Sequence, residues 1–297
     1  MTETILIIGS IALDTIENIR GKREDLIGGS TTYVTVAAGR SVPVNVVGVI
    51  GNDFPDEGLE IYQRYANSLV DLECKEGNTF RWGGRYGENM DSRETLFTDL
   101  GVFSDFSPRL STVNKNVSNV FLANIHPSLQ LSVINQMAGK PLIVTDTMNL
   151  WIDISLKQLI NVISRVNMFL LNDEEALLLT KKQTVEDAAE ILLDMGPEII
   201  IIKQGSMGSY LFDKKNNLKK HIPAFPVDNV VDTTGAGDSF AGGFVGNIEK
   251  TDIVSAIIAG SAIASFTVSS FGVNGLIDIT KKEMNNRINY IKKIIKD

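Results

Sequence analysis

Six short runs of the chain are almost continuously apolar: Thr4–Gly9, Asn45–Ile50, Asn119–Ala123, Leu142–Asp146, Asn167–Leu171 and Glu198–Lys203. A strand with one wet face alternates apolar and polar residues, whereas runs like these suit strands covered on both faces. Between them lie stretches of helical periodicity near 31–41, 57–68, 128–138, 154–165, 173–181 and 184–195. Ser155 and Thr184 stand where N-caps belong, and Asp187 follows Thr184 in the first turn. This alternation predicts an α/β chain with a mostly parallel sheet sandwiched between helices. A last helix, about 280–296, carries Met284, Ile288, Ile291 and Ile295 at helical spacing, a core-facing stripe.

The chain has 297 residues, 43% of them hydrophobic, which is enough for one large core spanning 1–297. Its net charge of −8, with no basic block, argues against nucleic acid as a partner. One cysteine, Cys74, excludes an intramolecular disulfide and fits a reducing, cytoplasmic setting. It reads as a small buried residue, since no histidine lies near it to make it a nucleophile. His126 and His221 lack metal-ligand spacing and read as core or surface histidines. The first apolar run follows Met1 with no basic segment or cleavage site before it, so it reads as a strand and not a signal peptide. Ile253 to Ile277 contains no charge, but Ser255, Ser261, Ser265, Thr267, Ser269 and Ser270 interrupt it, and Gly272–Gly275 looks like a turn. It reads as a buried core helix and a loop, not as a membrane span.

Residues 76–104 break the pattern. In Thr79–Tyr86 (TFRWGGRY), Arg81, Gly83 and Arg85 alternate with Trp82, Gly84 and Tyr86. A strand here projects the arginines from one face and the aromatics from the other. A turn near Gly87–Asp91 and a second β-prone run, Thr95–Asp99, make this an inserted hairpin.

Asp232 to Phe244 reads DTTGAGDSFAGGF. Gly235 and Gly237 allow a sharp turn and a close backbone approach to a ligand. The helix that follows offers unpaired N–H groups and the positive end of its dipole, an anion cradle. Asp238 lies inside that cradle. A carboxylate beside a bound phosphate suits the task of taking a proton from a hydroxyl, and the helix start favours its ionised form. The backbone N–H groups of Gly235, Ala236, Gly237 and Asp238 can meet a transferring phosphoryl group. The string is not a P-loop, because no Gly-Lys-Ser/Thr closes it. It is not a dinucleotide fingerprint either, because Phe240 stands where a third glycine belongs.

The string resembles the second signature of the PfkB carbohydrate kinases, the ribokinase-like family, and further motifs occur in that family's order. The resemblance implies a three-layer α/β/α fold with a small β lid, built from about 13–28 and 76–104, that covers the acceptor. It implies an ATP-dependent kinase acting on a hydroxyl of a sugar or sugar-like molecule. Two alternatives stay open: a nucleoside kinase, and a non-catalytic ligand-binding protein of the same fold. Asn172 and Glu175, in Asn172-Asp173-Glu174-Glu175, match an N-x-x-E motif implicated in placing Mg2+ and phosphate through water; a capped helix start explains the same acids. Lys203, Gly205 and Gly208 match K-x-G-x-x-G on the nucleotide side, and Lys203 reads equally as the partner of a neighbouring acid. Thr234 and Asn274 fall on the nucleotide side too, with the loop Asp228–Val231. Asp232 and Thr234 fall where the family often holds a monovalent cation, K+. Asp14 matches the family's sugar-binding acid, and Gly28-Gly29-Ser30 the start of its first signature. That signature continues to an Asn; here Tyr33 takes its place, and a phenol cannot reproduce an amide's donors and acceptor. Arg81 and Arg85 could meet a charged group on the acceptor or pair with Glu88 and Glu94. In the family such lids often form a homodimer contact.

Overall fold

The apolar runs become the inner strands of one sheet. The structure is a computed structural model that describes residues 3–87, Met90 and residues 93–296, without the side chain of Lys296. In chain order the strands are β1 (Ile5–Ile8), β2 (Ala12–Asn18), β3 (Gly21–Gly28), β4 (Val44–Gly51), β5 (Ser68–Lys75), β6 (Phe80–Tyr86) and β7 (Arg93–Asp99). They continue as β8 (Asn119–Leu122), β9 (Leu142–Thr145), β10 (Met168–Asn172), β11 (Ile199–Lys203), β12 (Ser209–Asp213) and β13 (Leu218–Ile222). The main sheet runs β13-β12-β11-β10-β9-β8-β1-β4-β5. It is parallel from β5 to β11, and β12 and β13 close the far edge antiparallel.

Both faces of this sheet are covered. Ile5 and Ile7 join one core with Tyr33, Phe121, Phe244 and Ile257, while Leu6 and Ile8 join another with Val120, Leu122 and Val133. A third cluster packs Phe169, Leu171, Ile200 and Ile202 against Leu159 and Leu192. Burial on two faces is what the unbroken apolar runs required.

The predicted helices appear as Ser30–Ala38, Asp56–Tyr65, Pro127–Gln136, Leu156–Ile163, Asp173–Thr180 and Val185–Asp194, with an extra short helix Asn149–Ile154 before the fourth. Thr184 caps its helix by accepting from Asp187 N at 3.1 Å. Ser155 does not cap; its hydroxyl lies 3.0 Å from His126 Nε2 instead. Ile253–Thr267 is a helix buried nearly all round, and Asn274–Ile277 forms a further short helix where a loop was expected. Among the described residues no helix is long and apolar enough to cross a membrane. In the last helix Ile291 is fully buried, with Met284, Ile288 and Ile295 packed against the same core.

The edge strands were not foreseen. β5 (SLVDLECK) and β13 (LKKHI) carry charges because one side of each meets water. Cys74 lies on β5 and is exposed, which corrects the expectation of a buried thiol.

A second sheet, ordered β3-β2-β6-β7, stands apart from the first. Its centre is the parallel pair β2–β6, in which Ala12 aligns with Phe80 and Asp14 with Trp82. Hence two segments far apart in sequence make one small sheet. The turn near Gly87–Asp91, like Glu88, falls largely outside the described residues.

Candidate active site

The carboxyl ends of parallel strands gather the polar side chains, as open α/β sheets favour. Asn172 ends β10 and Lys203 ends β11, and the register places them side by side. Asp146 follows β9 directly. Across from them begins the helix Ala236–Val245, with Gly235 at its N-cap and Asp238 in its first turn.

Gly235 has φ 72, the left-handed region, and a Cβ there would overlap the ring of Tyr33. Glycine is required on both counts. Tyr33 is 1% exposed and forms the floor beneath the turn, with no hydrogen-bond partner for its hydroxyl. Burial, with Asp14 and Asp232 nearby, pushes that hydroxyl well above its ordinary value.

Asp238 is partly exposed at the front of the helix. Burial of its carboxyl, reinforced by the charge of Asp146, raises it to about 6; Lys203 and Arg93 act in the opposite direction. The helix start therefore does not hold this acid low, as expected from its position alone, because desolvation outweighs the dipole. A value near 6 still leaves it mostly ionised at neutral pH.

Lys203 Nζ lies 2.5 Å from Asp146 Oδ2, in a pair whose carboxylate is 4% exposed. Burial alone lowers a lysine, but Asp146 and Glu175 outweigh it and hold Lys203 above its ordinary value. The ammonium also stands 3.3 Å from where a Cβ on Gly237 would be, so it borders the turn. Of the two readings of Lys203, pairing with an acid is realised, and the pair still faces the cradle. Asp146 was missed as a site residue. Its signal was its place: the last residue of an apolar run, at a strand's carboxyl end.

Asn172 and Glu175 form a reciprocal cap. Asn172 Oδ1 accepts from Glu175 N at 2.7 Å, and Glu175 Oε2 accepts from Asn172 N at 2.9 Å. Glu175 is 7% exposed, and burial raises it to about 7, with Lys203 opposing and Asp146 adding to the rise. It is a buried carboxylate short of positive charge, and its oxygens suit a hard divalent cation. Asn172 and Glu175 thus cap the helix and border the cleft together.

At the other end of the cleft lies Asp14 on β2, 4% exposed. A Cβ on Gly28 would overlap its Oδ2, so only glycine leaves room for this carboxylate. Gly29, φ 84, turns the chain into the next helix. Burial raises Asp14 to about 7, partly offset by the Gly29 N–H.

The small sheet meets the cradle. Tyr86 OH lies 2.8 Å from Thr234 Oγ1. Trp82, Gly84 and Tyr86 share the face that looks toward the cleft, with Asp14 aligned beside Trp82. Arg81 and Arg85 project from the opposite face. Arg81 pairs with Asp25 and, at 2.9 Å, with Asp53; Arg85 pairs with Glu17 at 3.0 Å and Glu94 at 3.4 Å. The alternation was read correctly, but the two arginines are engaged by acids and do not join the groups around Asp238.

Asp232 is fully buried. Its Oδ1 accepts from Thr234 N at 2.9 Å and its Oδ2 from Gly272 N at 3.1 Å, stapling the cradle to the loop before Asn274. Asn274 itself is exposed. The loop 228–231 is held against the small sheet, where Asn18 Nδ2 donates to Val231 O at 2.9 Å and Arg20 Nε to Val230 O at 3.0 Å. Gly205 faces open space, whereas a Cβ on Gly208 would overlap the carbonyl of Ile222. Gly208 therefore serves the joining of β12 and β13 before any ligand.

The architecture recurs in solved structures. The apo form of a putative Ribokinase II from E. coli superposes with a TM-score of 0.84 over 97% of this chain and 99% of that one, at 18% identity. Burkholderia thailandensis nucleoside kinase in complex with inosine gives 0.82 over 96% and 97%, at 18%. The fold is that of the ribokinase-like kinases. In sequence, residues 110–279 match the model of the pfkB family carbohydrate kinases. A cytidine kinase of Thermococcus kodakarensis is 30% identical over 256 residues, 83% of this chain and 88% of its own length. A nucleoside kinase of Methanocaldococcus jannaschii is 26% identical over 290 residues, 91% and 92% of the two chains. The chain belongs to the pfkB family of carbohydrate kinases, phosphotransferases that use an alcohol group as acceptor.

Proposed function

We propose that the chain transfers the γ-phosphoryl group of ATP to a hydroxyl of a sugar or of a molecule that contains one, with Asp238 as the base. The observation that carries this reading is the placement of Asp238. Its carboxyl stands in the first turn behind Gly235–Gly237, charged near neutral pH, between the Asp14 end of the cleft and the Lys203–Asp146 pair. A cradle that only bound an anion would gain nothing from that acid.

In this reading Asp14 accepts hydrogen bonds from two acceptor hydroxyls and so orients the ring. Asp238 takes the proton of the attacking hydroxyl. The amides of the turn and Lys203 meet the negative charge that spreads over the transferring group. Gly205 borders the open nucleotide side, with Thr234 and Asn274 near it. Mg2+, when bound, neutralises phosphate charge; Glu175, with Asn172 holding it, would place the ion through water. Asp232 keeps lone pairs beyond its two amide partners, and K+ there would need them. The β2–β3 and β6–β7 sheet acts as the lid. Phe97 and Leu100 at its exposed edge are residues that a lid-to-lid dimer would bury.

A second reading, a nucleoside as acceptor, has its own support. Tyr33 replaces the amide of the sugar signature, and two relatives that match over most of the chain are named cytidine kinase and nucleoside kinase. Acceptor-dependent ADP release, measured with a panel of free sugars and nucleosides, tests both. Turnover with nucleosides and none with free sugars selects the second reading; binding without turnover anywhere removes the enzymatic one.

A further inference from the structure

At the carboxyl ends of β1, β8 and β9 stands a set of uncharged side chains that the reaction above does not use. Asn124 follows β8 and is half-buried. Trp151, in the short helix Asn149–Ile154, donates its indole N–H to Asn124 Oδ1 at 2.7 Å. An indole N–H can only donate, so this bond fixes which way round the amide stands. The carbonyl of the Asn124 side chain faces Trp151. Its NH2 group faces away and, among the described residues, meets only Met148 Sδ, at 3.1 Å. A thioether is a weak acceptor, so two good donors stay almost unused. Trp151 is held in turn. Its ring stands edge-on to that of His126, with centroids 5.1 Å apart and planes at 71°. His126 Nδ1 accepts from Ser128 N at 3.1 Å, and its Nε2 lies 3.0 Å from Ser155 Oγ.

Asn124 lies between the two ends of the cleft. On one side its backbone carbonyl accepts from Ser30 Oγ at 3.2 Å, and Ser30 follows Gly29, whose N–H bonds Asp14. On the other side Met148 comes just after Asp146 and Thr147, and Asp146 is the partner of Lys203.

We propose that Asn124 is a specificity-determining residue whose NH2 group donates to the base of a nucleoside substrate, at a carbonyl oxygen or an unprotonated ring nitrogen, with Trp151 as its positioning residue. This rests on the second reading above, in which a nucleoside receives the phosphoryl group. With the ring hydroxyls on Asp14 and the reacting hydroxyl at Asp238, the base extends along the ends of β8 and β9. An amide free to turn offers a donor or an acceptor equally and discriminates little. An amide locked by an indole N–H offers donors only. A base that turns an N–H or an amine toward it leaves donors unpaired on both sides, which a half-buried site penalises. Asn124, Trp151 and Met148 carry no charge, which suits a neutral base.

Two pairs of nucleosides test this: inosine with adenosine, and uridine with cytidine. Within each pair the base edge exchanges donors for acceptors. The parent is expected to favour one member of a pair in kcat/KM by up to about 10-fold, the worth of one hydrogen bond. Asn124→Asp keeps one oxygen for Trp151 and turns a second oxygen to the base, so that preference reverses while the KM for ATP stays at the parent value. Trp151→Phe keeps an aromatic ring and removes the lock, so the ratio within the pair moves toward one. A folded Asn124→Asp protein that keeps the parent's preference, or a Trp151→Phe protein that keeps the parent's ratio, overturns the proposal. A parent that treats both members of each pair alike overturns it too. Should Asn124→Asp not fold, the Trp151→Phe ratio decides alone. If the parent phosphorylates free sugars and no nucleoside, the nucleoside reading fails and the proposal falls with it, while the kinase reading stands.

Discussion

The hydroxyl of Tyr86 lies 2.8 Å from Thr234 Oγ1, so a side chain of the small sheet reaches the turn proposed to meet the phosphoryl group. A hydrogen bond of this kind is worth about 0.5–1.5 kcal/mol net. Tyr86→Phe is therefore expected to raise the acceptor KM by about 2–10-fold through easier lid opening. The single-turnover rate with acceptor saturating stays at the parent value. Equal losses in both would place Tyr86 in the chemistry instead.

Asp238→Asn keeps the size of the side chain and removes its basicity. Turnover is expected to fall by about 10²–10⁴-fold, the range for a lost general base, with unchanged circular dichroism. A variant that retains parental turnover would refute the assignment of the base.

Three carboxyls in the cleft bind protons more tightly than usual: Asp14 and Glu175 at about 7, Asp238 at about 6. Each acts ionised in the proposed reaction. Activity should therefore fall as pH drops below 7, and log kcat/KM should approach a slope steeper than one, because several protons arrive together. A single shallow limb centred near 4 would contradict the crowding of these acids.

The same raised value has a cost for the fold. A carboxyl held above its unfolded value binds its proton more tightly when folded. Asp14 thus contributes stability below about 4 and loses it as pH rises through about 7. Asp14→Asn is expected to melt higher than the parent at pH 8 and to match it near pH 4, while losing acceptor binding. Calorimetric melts at the two pH values check the sign; a lower melting point at pH 8 would reverse it.

Breaking the Lys203–Asp146 pair from one side leaves a buried carboxylate without its cation. Lys203→Met is expected to cost about 3–5 kcal/mol. Adding Asp146→Leu should return most of that stability in urea melts without returning turnover. A double variant no more stable than the single would mean the pair is not coupled.

The cradle was legible because its requirements are local. A left-handed turn, an acid and a helix start occupy consecutive positions, Gly235 to Asp238, and each demands a residue type. The inner strands were legible because burial on two faces leaves no polar positions. Asp146 was not, since a lone acid at the end of an apolar run has no pattern of its own. What marks it is Lys203, 57 positions on, brought close by the sheet. Tyr33 stood out as a departure from a signature, but its place under Gly235 depends on the packing of two helices distant in sequence. Arg81 and Arg85 announced themselves by alternation, and the acids that bind them, Asp25, Asp53 and Glu17, lie on other strands or loops.

The central pairing of the small sheet joins Ala12 to Phe80, partners 68 positions apart. During synthesis β1, β4 and β5 can align and the first helices can dock before residues 80–85 leave the ribosome. The strand that bears Asp14 has only its hairpin neighbour until then. The rest of the main sheet, β8 to β13, and the turn Gly235–Asp238 emerge later still, so the small sheet can close beside Asp14 before the segment that carries Asp238 has been made.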